Sequence, residues 1–357
     1  MGIAVIGYGY WSPKLIRNIQ KNSQCVLKAI CEKDTTRHAR VKEDNPDVPI
    51  FEHYRDVFSL PDVDAVIIAT IPSSHFRIAK QALAAWKHVL IEKPLTLRTL
   101  DAELLKYLAN KKGLVLMVDH TYLYAPAMRA MKEAVSSGQL GNIISFQSNR
   151  QNLGLFQTDT NALWDLTPHD FAILSFLFDE RPKYISAKGS RTLSYGRYKD
   201  QESIVYLTLE YEHFIAHITV SWISPVKVRQ IEVIGTKRTA FFDQLAEHQL
   251  TIMDQSVQLK ESADHPVFEY KTGETTKVSL EQGGEDIGRM IQDFIAAVTS
   301  GSVPDSNVSI GLDVVRMLSA AQESLDTGGR IKAVNYRTPD KLWLELYNRY
   351  VYWRHKY

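Results

Sequence analysis

The sequence predicts an α/β protein with two domains: a doubly wound parallel sheet, followed by an α/β domain with a large, open, mostly antiparallel sheet. Three observations support this prediction. From the N-terminus to about residue 118, short apolar runs alternate with helical segments. Beyond residue 142, most strand-like runs follow one another without intervening helices. The length of 357 residues is sufficient for about two domains with separate cores.

Composition and charge exclude several classes of protein. The chain is 45% hydrophobic and 23% charged, with a net charge of +1, so we expect no nucleic-acid partner. The sequence contains no run of about 18 apolar residues, so we expect no membrane span. The N-terminus begins with a predicted strand in place of a signal sequence. Together these observations predict a cytoplasmic protein. Cys25 and Cys31 bracket one predicted strand, roughly 20 Å of extended chain, so we expect reduced thiols.

The first element is a strand, Ile3 to Ile6, which leads through G-Y-G-Y-W-S-P into a helix beginning near Pro13. Gly7 permits a tight turn, and Gly9 permits backbone N–H groups to approach a pyrophosphate, which the positive end of the helix would favour. Ser12 stands where the G-x-G-x-x-G pattern has its third glycine, and it is small enough to keep the helix near the strand.

A second strand, Val26 to Cys31, ends at Glu32, about 23 residues beyond Gly9. A carboxylate at this point accepts hydrogen bonds from the adenosine ribose hydroxyls of a dinucleotide. Because it also repels a 2′-phosphate, NAD is predicted in preference to NADP. Lys33 and Arg37 nearby keep NADP open, and a surface charge in a loop is the alternative interpretation of Glu32.

Strands and helices then alternate until the parallel sheet is complete. We predict strands over Asp64 to Thr70, Val89 to Glu92 and Leu114 to Val118, and helices over Ser74 to Trp86 and Thr99 to Lys111. Ligands of such sheets collect beyond the carboxyl ends of the strands, so residues that follow these strands are candidates for a binding site.

Two strand ends carry such candidates. His75 lies just beyond one strand, although a surface histidine at a helix start is the alternative. Glu92, Lys93 and Pro94 lie beyond the next, and the proline biases Lys93 toward an extended backbone instead of a helix. A reactive lysine here would meet a ligand. The alternative is a solvated charge pair at a loop.

The second domain is predicted to contain three further helices and a series of strands. The helices are Ala127 to Val135, Gly284 to Val298 and Gly311 to Asp326. The strands are Ile143 to Asn149, Tyr184 to Lys188, Ser203 to Tyr211, Ile215 to Trp222, Val228 to Ile234 and Ala240 to Phe242.

Between the first two of these strands lies the sequence W-D-L-T-P-H-D. A helix beginning near Leu166, or just before it, would place Asp165 and His169 one turn apart on one face. A carboxylate at that distance orients an imidazole and raises its pKa, because it favours the charged form. Trp164 and Phe171 flank the pair. A structural histidine is the alternative.

The C-terminal segment, residues 339–357, predicts a helix in which Trp343, Leu346, Tyr347 and Tyr350 recur at helical spacing. We expect this helix to dock on its own protomer or across a dimer interface. A partner-binding or membrane-surface helix is the alternative.

Taken together, G-Y-G-Y-W-S-P, E-K-P and W-D-L-T-P-H-D resemble the Gfo/Idh/MocA family of nicotinamide-dependent oxidoreductases, from Ile3 to about Val334. The resemblance implies an NAD-binding Rossmann domain over residues 1–119 and a substrate and oligomerisation domain over residues 120–334, with helices near 284–326 packing back on the first. Residues 335–357, which lie outside the resemblance, are predicted to form a C-terminal aromatic helix. The family also implies a substrate held between the domains, and a homodimer or homotetramer formed through the sheet faces.

The resemblance implies catalytic roles for Lys93, Asp165 and His169. It also implies cofactor contacts, at Gly7, Tyr8, Gly9, Tyr10, Trp11, Glu32, Thr70, Pro72, His75, Glu92, Lys93 and Trp164. The chain departs from the family where many members carry H-x-x-D, since Asp170 follows His169 directly and Ala172 occupies the third position. It departs again at Leu123, Tyr124 and Ala125, where many members carry Arg-Phe. These departures fall on the substrate side.

The implied activity is hydride transfer between nicotinamide and the carbinol carbon of a sugar, with His169 carrying the proton, Asp165 orienting it and Lys93 stabilising negative charge. We expect a nucleotide-linked sugar reacting at ring carbon 3, or alternatively a free sugar or inositol. Candidate substrate contacts are Tyr122, Arg150, Asn152 and Asn161, and no metal is expected. A non-catalytic dinucleotide-binding regulator is an alternative of another class, although the reactive side chains favour an enzyme.

Overall fold

The computed structural model describes residues 1–154, 156, 160–191, 201–260, 265, 267–281 and 283–354. Its first sheet has six parallel strands in the order β3-β2-β1-β4-β5-β6. These strands are β1 (Gly2–Ile6), β2 (Val26–Cys31), β3 (Ile50–Phe51), β4 (Ala65–Ile68), β5 (His88–Glu92) and β6 (Leu116–Asp119). The helices around them are α1 (Ser12–Lys21), α2 (His38–Asp44), α3 (Tyr54–Phe58), α4 (Pro72–Ala84) and α5 (Thr99–Lys112), with short 3₁₀ helices at Thr35–Arg37 and Thr121–Tyr124.

The central strands of this sheet are apolar because both of their faces are covered. Every residue of β1 and of β4 is buried, as expected for a parallel sheet with helices on both sides. The strand order changes direction between β1 and β4, since β2 and β3 lie on one side and β4 to β6 on the other. Such a switch point is where doubly wound sheets bind ligands.

The second sheet has nine strands in the order β14-β13-β12-β11-β7-β10-β9-β8-β15. Only β7 and β10 pair in parallel among the pairings of its described residues. The strands are β7 (Ile143–Leu153), β8 (Tyr184–Ser190), β9 (Ile204–Glu210), β10 (Ile215–Ser221), β11 (Ile223–Gly235), β12 (Thr239–Asp243), β13 (Leu250–Lys260), β14 (Val267–Lys277) and β15 (Lys332–Ala333). The predicted fold class, a doubly wound parallel sheet plus a large, mostly antiparallel sheet, is confirmed.

Five longer helices complete the described chain: α6 (Pro126–Ser136), α7 (Ala162–Leu177), α8 (Asp286–Ser300), α9 (Val308–Asp326) and α10 (Lys341–Arg354). The sequence did not predict the β13–β14 hairpin. Every residue of β14 is exposed, so this strand lacks the apolar alternation by which half-buried strands are recognised. The helix α7 begins at Ala162, four residues before the predicted start near Leu166.

The chain divides into two compact units. The first contains residues 1–124, 284–315 and 336–357, and the second contains residues 125–283 and 316–335. The helix α8 therefore belongs to the first unit, whereas α9 begins in the first unit and ends in the second.

The C-terminal helix α10 docks on α5 within the first unit. Tyr347 donates a hydrogen bond to Asp101 (2.7 Å), and Tyr107 donates one to Glu345 (2.7 Å). Leu344 of α10 is buried. This arrangement is docking on the same protomer, the first of the predicted alternatives. Residues 355–357 of the predicted helix lie outside the described part.

Two further predictions concern membranes and cysteines. Among the described residues, no helix has both the length and the apolar character needed to cross a membrane. Cys25 and Cys31 are buried free thiols, as predicted. Burial raises the pKa of the Cys31 thiol to about 12, which makes it a poor nucleophile.

Candidate active site

The glycine turn after β1 has the geometry that a dinucleotide pyrophosphate requires. Gly7 has φ +96°, and a Cβ added there would lie 2.6 Å from the Ala69 carbonyl oxygen. A Cβ added at Gly9 would meet no atom within 4 Å, so the space beside the turn is open. The helix α1 begins at Ser12, just beyond that space. The open space and the helix N-terminus together fit NAD at this turn.

Ser12 does more than keep the helix close to the strand. Its hydroxyl donates a hydrogen bond to the Gly7 carbonyl (2.9 Å) and accepts one from the Gly9 N–H (3.2 Å). The side chain is fully buried. The departure from a third glycine therefore adds a side-chain clamp across the turn.

Glu32 lies at the end of β2, where the ribose contact is predicted. Its carboxylate accepts hydrogen bonds from the backbone N–H groups of Tyr8 (2.7 Å) and Asp34 (2.8 Å). These bonds fix the carboxylate beside the glycine turn. The Arg37 guanidinium is 3.9 Å away and half exposed. The ring of Tyr8 points toward α2, where its hydroxyl donates to Asp44 (2.6 Å), so the Tyr8 side chain lies away from the glycine turn.

Tyr10 and Trp11 differ in their surroundings. Tyr10 is 77% exposed at the turn, whereas the Trp11 indole N–H donates to Asp119 Oδ2 (3.3 Å) at the end of β6. The Lys14 ammonium lies 4.2 Å from the centroid of the Trp11 ring. The sequence did not predict a role for Lys14, although a cation in the first turn of this helix would lie close to a bound pyrophosphate.

The junction of β4 and α4 contains three of the predicted cofactor residues. The Thr70 hydroxyl is 2.7 Å from the Ser74 hydroxyl, and Pro72 is the first residue of α4. His75 is fully buried, with its ring nitrogens 2.9 Å from the Pro94 carbonyl and 3.0 Å from the Thr70 carbonyl. The alternative of a surface histidine is therefore wrong. His75 connects the end of β4 to the segment that follows Lys93.

The ends of β5 and β6 bring four titratable side chains together. Glu92 and Asp119 are partners in the parallel ladder, and Lys93 and His120 follow them. Burial, and next the adjacent Asp119 carboxyl, raise the pKa of Glu92 well above its usual range. Burial and the Lys93 charge lower the pKa of His120 to about 3. Lys93 is partly exposed at the carboxyl end of β5, the position from which a side chain reaches a ligand.

The second group of candidate residues lies on α7. Asn161 caps the helix by accepting the Trp164 N–H (3.2 Å), and its amide donates to Glu202 (2.7 Å). Asp165 and His169 are both within the helix, four residues apart, so they share the predicted face. The Trp164 indole donates to Gln322 (3.1 Å).

Trp222 is a residue of this group to which the sequence assigned no role. Its indole N–H donates to Asp165 Oδ2 at 2.9 Å, and its side chain is 1% exposed. The Phe156 ring packs against it with centroids 5.3 Å apart. A Cβ added at Gly154 would lie 2.8 Å from the indole, so glycine there leaves room for the ring. No local motif pointed to this contact, because 57 residues separate the partners.

Asp170, which stands at one departure from the family pattern, has buried partners in β7. It is fully buried and accepts hydrogen bonds from Arg150 Nε (3.0 Å) and from Ser148 (2.7 Å). Arg150, on β7, is only 4% exposed. Its guanidinium is therefore paired with a buried carboxylate of α7. Its predicted contact with substrate stays a prediction.

The other predicted substrate residues are placed as follows. Asn152 accepts a hydrogen bond from the Arg229 guanidinium, and Tyr122 is half-buried in the 3₁₀ helix that follows β6. Within the described ranges, no cluster of three or more His, Cys, Asp or Glu side chains has the arrangement of a metal site.

Comparisons with known sequences and structures identify the family. Residues 1–120 match the oxidoreductase family with an NAD-binding Rossmann fold, and residues 128–241 match the GFO/IDH/MocA C-terminal domain. A crystal structure from Magnetospirillum magnetotacticum MS-1, named only as an oxidoreductase, is 31% identical with a TM-score of 0.76, covering 90% of this chain and 99% of that one. The chain belongs to the Gfo/Idh/MocA family of oxidoreductases.

Two further proteins that this chain resembles have named activities. UDP-N-acetylglucosamine 3-dehydrogenase GnnA from Acidithiobacillus ferrooxidans is 22% identical, with a TM-score of 0.76 over 92% of this chain and 98% of that one, and at this identity it shows the fold alone. The scyllo-inositol 2-dehydrogenase (NADP(+)) IolW of Bacillus subtilis (strain 168) is 24% identical over 312 residues, 81% of this chain and 84% of that protein. The predicted enzyme class, a dehydrogenase or reductase with an NAD-binding domain, is confirmed.

Proposed function

We propose that this protein catalyses reversible, NAD-dependent oxidation of a secondary alcohol on a sugar, with a nucleotide-linked sugar reacting at ring carbon 3 as the first candidate. The observation that supports it most directly is the position of Lys93. Neighbouring strands are about 4.8 Å apart, and β5 lies two strands from β1 in the sheet order. Lys93 is therefore roughly 10 Å across the sheet edge from the glycine turn, within the length of a dinucleotide.

The residues of this chain have separate roles in the proposed reaction. Bound NAD supplies the hydride acceptor, or NADH the donor. As the hydride leaves the carbinol carbon, its hydroxyl loses a proton, which His169 accepts. Asp165 orients the His169 ring, and Lys93 stabilises negative charge on the substrate oxygen. In the reverse direction the same groups return the proton to a carbonyl oxygen.

Glu32 supports NAD over NADP. Its fixed carboxylate, beside the turn, would repel a 2′-phosphate. The half-exposed Arg37 at 3.9 Å offsets part of that repulsion. We expect kcat/KM to be higher with NAD than with NADP. The substitution Glu32→Ala should bring the two values of kcat/KM closer together.

The choice of sugar rests on comparison. The structural relative named above is a UDP-N-acetylglucosamine 3-dehydrogenase, and the sequence relative is a scyllo-inositol 2-dehydrogenase. A free sugar or inositol is therefore the second candidate. Incubation with NAD and a panel of UDP-, GDP- and dTDP-sugars, free sugars and inositols, followed by the absorbance of NADH, would distinguish them. Absence of turnover with every compound would favour the dinucleotide-binding regulator.

The assignment of catalytic residues is tested by two substitutions. We expect Lys93→Ala and His169→Ala each to lower kcat by at least 100-fold, since general acid–base and electrostatic contributions are about this large. NAD affinity, measured by calorimetry, should stay close to that of the parent protein for His169→Ala. Full turnover by either variant would contradict the assigned role.

Assembly and location are part of the same proposal. We propose a cytoplasmic homodimer or homotetramer formed through the faces of the nine-stranded sheet. Tyr206 and Ile215, which are 55% and 46% exposed on adjacent strands, offer apolar surface for such a contact. Light scattering of the purified protein and of Tyr206→Glu tests it, and a monomeric parent protein would contradict it.

A further inference from the structure

We propose that Glu92 and Asp119 share a single proton, with Glu92 as the neutral acid and Asp119 as the charged carboxylate, so that Glu92 leaves the positive charge of Lys93 uncancelled. The inference rests on the proposed role of Lys93, and it adds Asp119 as a residue that positions charge around it.

The first argument is the register of the sheet. Glu92 and Asp119 are direct partners in the parallel pairing of β5 and β6, which places their carboxyl groups on adjacent strands. Burial, and after it the charge of Asp119 and a hydrogen bond to it, raise the pKa of Glu92. A hydrogen bond between two carboxyl groups requires a proton on one of them. Two carboxylates at contact distance repel each other too strongly for both to be ionised at neutral pH.

The second argument decides which group holds the proton. Asp119 accepts the Trp11 indole N–H (3.3 Å), the Thr121 backbone N–H (3.1 Å) and the Thr121 hydroxyl. Donors of this kind stabilise an ionised carboxylate. Glu92 Oε1 is buried and has no hydrogen-bond partner among the described residues. The charge therefore resides on Asp119, and Glu92 donates the shared proton.

The neighbouring charges agree with this assignment. Lys93 favours ionisation of Glu92, but burial and Asp119 outweigh it and keep the pKa of Glu92 well above its usual range. His120 follows Asp119, and its pKa of about 3 keeps the ring neutral above that pH. The block of four residues thus contains one negative charge, on Asp119, and one positive charge, on Lys93. Trp11 and Thr121 donate hydrogen bonds to the negatively charged Asp119 carboxylate.

This arrangement has a chemical consequence for Lys93. An ionised Glu92 directly before the lysine would reduce the field that stabilises negative charge on a substrate oxygen. A neutral Glu92 leaves that field intact, and preorganised charge of this kind is a large contribution to catalysis. Asp119 is thus a positioning residue, since it acts on the reaction through the proton state of Glu92.

Infrared spectroscopy of the protein without cofactor tests the proton directly. We expect a protonated-carboxyl C=O band at pH 7 that Glu92→Gln removes. In Asp119→Asn, the pH at which the Glu92 band is half lost should be lower, because the carboxylate that repels an ionised Glu92 is gone. Glu103→Gln, a buried glutamate on α5, is the matched control and should leave the band in place. A band that survives in Glu92→Gln would overturn the proposal.

Kinetics then test the consequence for Lys93. In Asp119→Asn, Glu92 ionises as the pH rises, so kcat relative to the parent protein should fall toward high pH and recover toward low pH. The double variant Glu92→Gln/Asp119→Asn should lose this pH dependence. Glu92→Gln should retain at least 10-fold more kcat than Glu92→Ala, because an amide can still donate to Asp119. The inference would be overturned if Asp119→Asn lowered kcat by the same factor at every pH and the double variant lowered kcat by that same factor.

Trp11 also contacts Asp119, so a change in cofactor binding must be separated from a change in proton state. Trp11→Phe removes the indole donor and keeps both carboxyl groups, and its infrared band should persist. The proposed function fails separately: full activity of Lys93→Ala, with the Glu92 band intact, would remove the role of Lys93 while leaving the shared proton in place.

Discussion

Two carboxylates, one in each compact unit, each accept an indole N–H, but they are held in different ways. Asp119, in the first unit, lies at the end of β6, and the register of a parallel sheet places it beside Glu92. Asp165, in the second unit, lies in the first turn of α7, and Trp222, the residue between β10 and β11, donates a hydrogen bond to it at 2.9 Å. The first position follows from strand pairing, whereas the second depends on side chains that cross from sheet to helix.

This difference predicts where each region is vulnerable. Residues at the strand ends keep their backbone position when a side chain is changed, because the ladder of hydrogen bonds remains. The candidate residues of α7, with the side chains that contact them, form what we call the α7 group. This group depends on buried contacts between Arg150 and Asp170 and between Trp222 and Asp165. Substitutions in that group should therefore alter both stability and geometry.

The largest effect is expected from breaking the buried ion pair. Asp170→Ala would leave the Arg150 guanidinium, 4% exposed, without its carboxylate. Removal of one partner of a buried pair costs about 3–5 kcal/mol. Urea unfolding followed by circular dichroism should show a clear fall in the unfolding midpoint of the protein.

Two variants check this explanation. In the double variant Arg150→Met/Asp170→Ala, no uncompensated charge remains, so the midpoint should recover part of the loss. Asp179→Ala, at an exposed carboxylate beside Lys132, should change the midpoint little. Equal losses for Asp170→Ala and Asp179→Ala would show that burial of the pair is not what stabilises α7.

The sequence predicted the first region more completely than the second. Strands of the parallel sheet are apolar runs bounded by turn residues, so their ends, and with them Glu32 and Lys93, could be placed before the structure was known. The pairing of Glu92 with Asp119 was not predicted, because it needs the strand order as well as the strands. Ser12 was predicted as a small residue only, although its hydroxyl bonds both sides of the glycine turn.

In the second region, the sequence predicted the spacing of Asp165 and His169. It did not predict the buried side chains that contact this part of α7. A helical period places two residues on one face, and this is local information. The contacts of Trp222 and Arg150 join residues that are 57 and 20 positions apart from their partners. Arg150 was therefore a candidate substrate contact by residue type, since its buried partner in α7 could not be known from spacing.

A smaller effect is expected in the first region, where the two glycines of the turn differ. Gly7→Ala would place a Cβ 2.6 Å from a backbone carbonyl in a left-handed conformation, so we expect a loss of about 1–3 kcal/mol of stability. Gly9→Ala has open space around the new Cβ and should leave stability nearly unchanged.

NAD affinity separates the two variants further. Because the space beside Gly9 is where the pyrophosphate is expected, Gly9→Ala should weaken NAD binding in calorimetry by about 10-fold or more. If Gly9→Ala lowered the stability of the protein, or left its NAD affinity unchanged, the result would argue against a pyrophosphate at this turn.

The smallest expected effect is at Trp222. Trp222→Phe removes the indole N–H that Asp165 accepts while it keeps an aromatic ring against Phe156. A typical intramolecular hydrogen bond contributes about 0.5–1.5 kcal/mol, and without this one Asp165 would hold His169 less firmly in the orientation that we propose. We expect kcat to fall about 10-fold and the pH profile of kcat to shift, whereas NAD affinity stays the same. Trp343→Phe, on the exposed face of α10, is the matched control. If both variants keep the parent kcat and pH profile, the indole has no part in positioning Asp165, and the α7 group depends on the Arg150–Asp170 pair instead.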